Sequence, residues 1–144
     1  MNRNIETGHI AELIACAILE EQGFKTSFCQ QEAVDILAYK DNDFYRVQVK
    51  GSKLRKIRNY NHLQFQLGLG KAKRLPTIND YDFAVLTSID QRKCFFMPVE
   101  EVDRTTIRKR KIVFDDLNIE EFSLTETLKK IHKRKNRSKL KWRL

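Results

Sequence analysis

The chain's 144 residues, 41% hydrophobic and 33% charged, have the composition of one globular domain, which excludes a disordered or low-complexity protein. Three cysteines without C-x-x-C spacing argue against a disulfide framework or a zinc site, and five glycines and two prolines leave little room for linkers. The net charge of +9 points to a polyanionic partner.

No run of 18 apolar residues occurs, and residues 1–6 lack the layout of a signal peptide, so a soluble cytoplasmic protein without a membrane partner is expected. The charge is concentrated. Residues 129–144 carry nine basic residues, Lys133, Arg134 and Lys135 among them, and no acidic ones. Residues 44–79 form a second zone without Asp or Glu, holding Arg46, Lys50, Lys53, Arg55, Lys56, Arg58, Lys71, Lys73 and Arg74. A basic tail alone would fit a solubilising or targeting extension, but two zones fit nucleic acid better.

In chain order, residues 8–22 are good helix formers with Gly23 at the C-terminal cap position. Almost every face of this helix is apolar, so it is expected to be well buried. Glu12 is its only charge between Glu6 and Glu20, beside the small residues Gly8, Ala15 and Cys16. Either that stripe admits a metal or ligand, or Glu12 simply reaches solvent at the edge of the buried face. Residues 24–28 read as a short strand and 30–33 as a loop.

Residues 34–39 and 44–49 are apolar runs flanking the polar cluster 40–43, which reads as an antiparallel hairpin turning at Asp41 and Asn42. A two-residue turn pairs residues whose numbers sum to 83, placing Asp35 opposite Gln48 with Lys50 on the same face. Val34, Ile36, Ala38, Tyr45, Val47 and Val49 then form the opposite, apolar face. A three-residue turn would instead pair Asp35 with Val49 and disperse the cluster. The polar face also has an ordinary reading, as the solvent side of a half-buried hairpin.

Residues 51–61 are basic and weakly patterned, and 62–67 alternate with Leu63, Phe65 and Leu67 on one face. Residues 68–70 with Lys71 lack the phosphate-loop spacing and read as a flexible basic turn touching backbone phosphates. Residues 81–88 form a strong strand, 89–93 a turn and 94–99 a second strand, where Pro98 marks an edge or terminus. A helical turn is expected at 99–102, and residues 104–114 alternate basic and apolar. Ser123 and Glu126 have capping-box spacing ahead of Leu124, Leu128 and Ile131 at helical intervals. This divides the chain into a domain at 1–128 and a basic tail at 129–144 that continues the last helix.

The order helix, hairpin, strand, strand, helix resembles the PD-(D/E)XK nuclease superfamily. Glu12 resembles the carboxylate of its first helix, Asp35 in AVDILAY the motif aspartate, and Gln48 and Lys50 in VQVK the (D/E)XK pair. Within the superfamily, YRVQVKGS, the basic stretch after it and YDFAVLTSIDQRKCFFMPVEEV are most similar to group I intron-encoded homing endonucleases. The similarity spans residues 8–102. Two departures stand out: Ala33 and Val34 take the place of the proline before the aspartate, and Gln48 replaces an acidic residue.

The resemblance implies an α/β restriction-endonuclease-like core, a central mixed sheet flanked by helices, and hydrolysis of double-stranded DNA with Mg²⁺ or another divalent cation such as Mn²⁺. It implies Glu12, Asp35, Gln48 and Lys50 as catalytic residues. Asp35, Glu12, the Gln48 amide oxygen and the Val49 carbonyl would hold the cation, and Lys50 would position or deprotonate water or neutralise the transition state. Lys53, Arg55, Lys56, Arg58, Lys71, Lys73, Arg74, Lys133, Arg134 and Lys135 would contact DNA. A homo-oligomer, dimer or tetramer, follows if both strands are cut. The rival readings are a junction resolvase or restriction-like nuclease of the same superfamily, and a DNA-binding protein on a decayed nuclease fold.

Overall fold

Two apolar cores, one on each face of a single sheet, organise the chain. The computed structural model describes residues 3–143; residues 1, 2 and 144, the last being the end of the basic tail, and the side chains of 3–6, 57 and 138–143 lie outside the described residues. The elements run α1 (Arg3–Glu21), β1 (Lys25–Gln31), β2 (Val34–Lys40), β3 (Asp43–Ser52), β4 (Arg55–Ile57), β5 (Tyr60–Gln66), β6 (Phe83–Ser88), β7 (Lys93–Pro98), β8 (Thr106–Arg110), α2 (Lys111–Asp115) and α3 (Ile119–Arg143). The main sheet has the order β1-β2-β3-β6-β7; β3 and β6 are parallel and the other pairs antiparallel. This is the expected mixed sheet of a restriction-endonuclease-like fold.

The hairpin forms in the expected register, from Lys40↔Asp43 to Ile36↔Val47. Asp41 and Asn42 take φ of 52° and 67°, the two left-handed residues that a tight turn matching strand twist requires, so the three-residue turn is excluded. Strand β1 runs on to Gln31, leaving a tight turn at Glu32 and Ala33 where a longer loop is expected. A register irregularity between Phe28 and Gln31 precedes Val34, whose side chain joins the core opposite to that of Ile36, not the shared face expected of it.

Helix α1 ends as its sequence predicts. Gly23 sits at φ +94°, its N–H donates to Glu20 O, and the Phe24 N–H donates to Leu19 O, the paired bonds of a glycine C-cap. The helix is not buried on every face. Ala11, Ile14, Ala15, Ile18 and Leu19 pack on the sheet, while Ile10 and Leu13 are exposed, because one helix can lay only one face on one sheet. Helix α3 packs on the same side, contributing Leu124 and Ile131 to this core. It begins before Ser123, whose hydroxyl therefore does not cap it; Ser123 Oγ accepts the Phe96 N–H at 3.0 Å and ties α3 to β7.

On the other face lies an element absent from the sequence expectations, a small antiparallel sheet of order β4-β5-β8. Leu63 and Phe65 face inward as their alternation predicts, and with Ile107 of β8 and Phe114 of α2 they close the second core against Leu86 and Met97. Pro98 does end β7, an edge strand, and a single 3-10 turn follows at Val99–Glu101.

Candidate active site

A strand-interior glycine sets the distance between α1 and the sheet. A Cβ on Gly51 would fall 2.6 Å from Ala11 Cβ and 3.1 Å from Ile89 Cδ1, so only glycine lets α1 lie this close to β3. Glu12, next to Ala11, is thereby carried to the open end of the hairpin. Glu12, Asp35, Gln48, Val49 and Lys50 line one cleft of about 490 Å³, with Thr7, Ser52, Lys53, Arg55 and Gln64 around it. The ordinary reading of this face as mere solvent surface does not describe Gln48, which is buried.

Asp35 is held from two directions. Its Oδ2 accepts the Val49 N–H at 2.8 Å and the Gln48 amide N–H at 2.7 Å. The same Gln48 nitrogen lies 3.4 Å from the Val49 carbonyl oxygen, so two oxygens expected to ligate a cation converge on one point, occupied by an amide N–H₂. The amide nitrogen, rather than the oxygen, faces Asp35 in this arrangement.

Both carboxyls are pushed above their ordinary range. Burial is the main cause for Asp35, opposed by the Val49 N–H and the charge of Lys50. Burial also leads for Glu12, followed by the negative charge of Asp35 and opposed by His9, whose ring lies 3.6 Å away. Because the folded state holds these protons more tightly than the unfolded chain, the two groups destabilise the metal-free protein as pH rises through the carboxyl range. A bound divalent cation requires both ionised, so cation affinity is expected to rise over that same interval. Among the described residues no three His, Cys, Asp or Glu side chains gather as a metal site. The oxygen donors in the cleft are two carboxylates and one backbone carbonyl, to which Gln48 adds its amide oxygen only when the amide turns over, a set that fits a hard cation such as Mg²⁺ and not zinc.

The basic residues separate into distinct groups. Lys53 and Arg55 line the cleft, Lys56 follows Arg55 in β4 and is exposed, and Arg58 is exposed beside a separate hollow that it lines with Tyr60, His62 and Arg108. Lys71 and Lys73 are exposed in a turn closed by a Leu69↔Arg74 bridge. Arg74 itself makes two bonds of 2.7 and 2.9 Å to Asp80, whose carboxyl it holds down at about 2. Arg134 is mostly buried between Asp82 and Glu100. Lys135 lies over the Tyr45 ring at 4.9 Å, and His132 meets the Tyr45 hydroxyl at 2.9 Å. That end of α3 lies by the hairpin turn. Tyr45 and Lys50 are five residues apart on one strand, about 17 Å, so residues 133–135 and the cleft are at opposite ends of β3.

Three supporting residues escape the sequence reading. Gly51 had a signal, since glycine inside a strand marks close approach. Ser52, whose Oγ accepts the Gln64 N–H at 3.1 Å, and Asp82, which accepts the Arg46 N–H at 2.8 Å, had none, because their partners come from distant elements.

A family model of PD-(D/E)XK endonucleases matches residues 3–128. The chain belongs to the PD-(D/E)XK endonuclease family. The solved structure of a bacterial homing endonuclease, I-Ssp6803I, is similar at 18% identity with a TM-score of 0.63, over 75% of this chain and 78% of that one. No curated protein matches the sequence. As a PD-(D/E)XK endonuclease the chain falls in the class that hydrolyses DNA, and such nucleases generally use divalent cations. No described helix is long and apolar enough to cross a membrane.

Proposed function

We propose that this PD-(D/E)XK endonuclease is a Mg²⁺-dependent enzyme that cuts double-stranded DNA at a specific site, and that it is an intron-encoded homing endonuclease. The observation that carries the reading is the meeting of Glu12, Asp35 and Lys50 in one cleft whose rim is Lys53 and Arg55. Phosphodiester hydrolysis builds negative charge on the phosphoryl oxygens, and a divalent cation held among Asp35, Glu12 and the Val49 carbonyl would neutralise it. Asp35 is oriented for that role by the Val49 N–H. Lys50, on the same strand face as Gln48, brings its ammonium to the scissile phosphate, where it holds the attacking water or offsets the charge that develops. Lys53 and Arg55 clamp the flanking phosphates, with Lys56, Arg58, Lys71 and Lys73 further out and Lys133 and Lys135 on a separate surface. One such cleft per chain cuts one strand, so cutting both calls for a dimer or tetramer.

The similarity to a solved homing endonuclease favours homing among the site-specific activities. The test is whether the reading frame lies inside an intron and whether the purified protein cuts the rejoined flanking exons at one position. Sequence-independent cutting of four-way junctions, with the rejoined exons left intact, would make it a resolvase.

Gln48→Glu restores a third carboxylate beside Asp35. Burying another acid there is expected to lower the thermal midpoint in EDTA, and the added charge to tighten Mg²⁺ binding roughly tenfold or more. Thermal scans in EDTA and Mg²⁺ titrations read the two effects, which must have opposite signs; a Gln48→Glu protein with unaltered Mg²⁺ affinity would remove residue 48 from the cation site.

A further inference from the structure

We propose that the solvent face of the small sheet reads base sequence in the major groove of double-stranded DNA, an inference that rests on the site-specific cleavage proposed above. Strand alternation and register place its side chains. Leu63, Phe65 and Ile107 point into the core, so His62, Gln64 and Gln66 of β5 share the outer face with Arg110, Arg108 and Thr106, their cross-strand partners in β8. No Asp or Glu occurs in β4, β5 or β8.

The outer rows of this face are braced. Thr106 Oγ1 donates to Gln66 Oε1 at 2.8 Å, and the Arg110 guanidinium stacks over Tyr60 at 5.2 Å. The middle row is different: the Gln64 amide and the Arg108 guanidinium make no hydrogen bond or ion pair among the described residues. Elsewhere Arg46, Arg74 and Arg134 are each tied to a carboxylate. A planar amide and a planar guanidinium, side by side and unengaged, are the groups that bind adenine and guanine edges with paired hydrogen bonds.

Position and dimensions agree. Gln64 also lines the catalytic cleft, so duplex DNA lying in the cleft passes over this face. Two antiparallel strands about 4.8 Å apart fit a major groove about 12 Å wide. Side chains on one strand face recur about every 6.8 Å, close to two base-pair steps at about 3.4 Å each.

The experiment selects bound sequences from a randomised duplex pool in EDTA, with the wild type, Arg108→Ala, Arg108→Lys and Gln64→Ala. The wild type is expected to enrich a consensus. Both Arg108 variants should lose discrimination at one guanine by roughly tenfold to hundredfold, and Gln64→Ala at a neighbouring adenine. Arg108→Lys keeps the charge and loses only the planar fork, which separates base reading from phosphate attraction. An unchanged consensus with uniformly weaker binding and a shallower salt slope in Arg108→Ala would make Arg108 a phosphate contact and overturn the proposal. Binding by the wild type with no consensus would overturn site-specific recognition along with it. Metal-dependent cutting of the same pool would even then leave the endonuclease activity standing.

Discussion

Asp35→Asn is expected to lower DNA cleavage by roughly a thousandfold or more, since a carboxylate holding a catalytic divalent cation supplies several kcal/mol of transition-state stabilisation. DNA affinity should hardly change, because the basic side chains at the rim are untouched and one negative charge is removed near the phosphates. The fold should tolerate the change well. Asn keeps an oxygen for the Val49 N–H, which Asp35 now accepts at 2.8 Å. It also relieves the burial that pushes the Asp35 carboxyl upward, so the thermal midpoint in EDTA should rise slightly. Cleavage kinetics, filter binding and thermal scans on one preparation measure all three. Cutting at the wild-type rate would remove Asp35 from the reaction.

Gly51→Ala is expected to cost about 1–3 kcal/mol of stability, as overpacking in a tight core does, and about a hundredfold in cleavage, the usual effect of a reacting group misplaced by about 1 Å. The added methyl would meet Ala11 Cβ at 2.6 Å, and Ala11 is fixed to the backbone of α1, so the helix must move. Glu12 moves with it, away from Asp35. Ala11→Gly in the same chain removes the clash and should restore most of the activity, although glycine within a helix costs about 1 kcal/mol. Rescue of cleavage with stability still reduced would separate positioning from folding. Full activity in Gly51→Ala alone would show that the spacing of α1 from β3 does not set the reaction.

The sequence made the hairpin legible to the residue because Asp41 and Asn42 carry turn chemistry that fixes register, and period-two alternation then fixes faces. That was enough to bring Asp35 and Gln48 into contact. The small sheet was not legible. Strand β4 has three residues, and β5, although its alternation marks it as extended, finds its partner in β8 far along the chain, as in Gln66↔Thr106, so their assembly into a sheet has no local signal. Charge counting located both basic zones yet could not show that Arg74 and Arg134 are already paired with carboxylates, since Asp82 and Glu100 approach Arg134 only in the folded chain. It also could not show that α3 carries Lys135 to Tyr45 at the hairpin turn, away from the cleft. The apolar residues all around α1 misled for a related reason: hydrophobicity measures what a helix can bury, while the single sheet face decides what it does bury.

If Glu12, Asp35, Val49 and Lys50 form the proposed metal-dependent DNA-cleaving centre, supercoiled plasmid will report it in one assay. The wild type, incubated with Mg²⁺ or Mn²⁺, should convert plasmid carrying its target to nicked and linear forms, and EDTA or Asp35→Asn should leave it supercoiled though still bound. Cleavage that persists in EDTA, or tight binding of the target without cleavage at any Mg²⁺ or Mn²⁺ concentration, would contradict it.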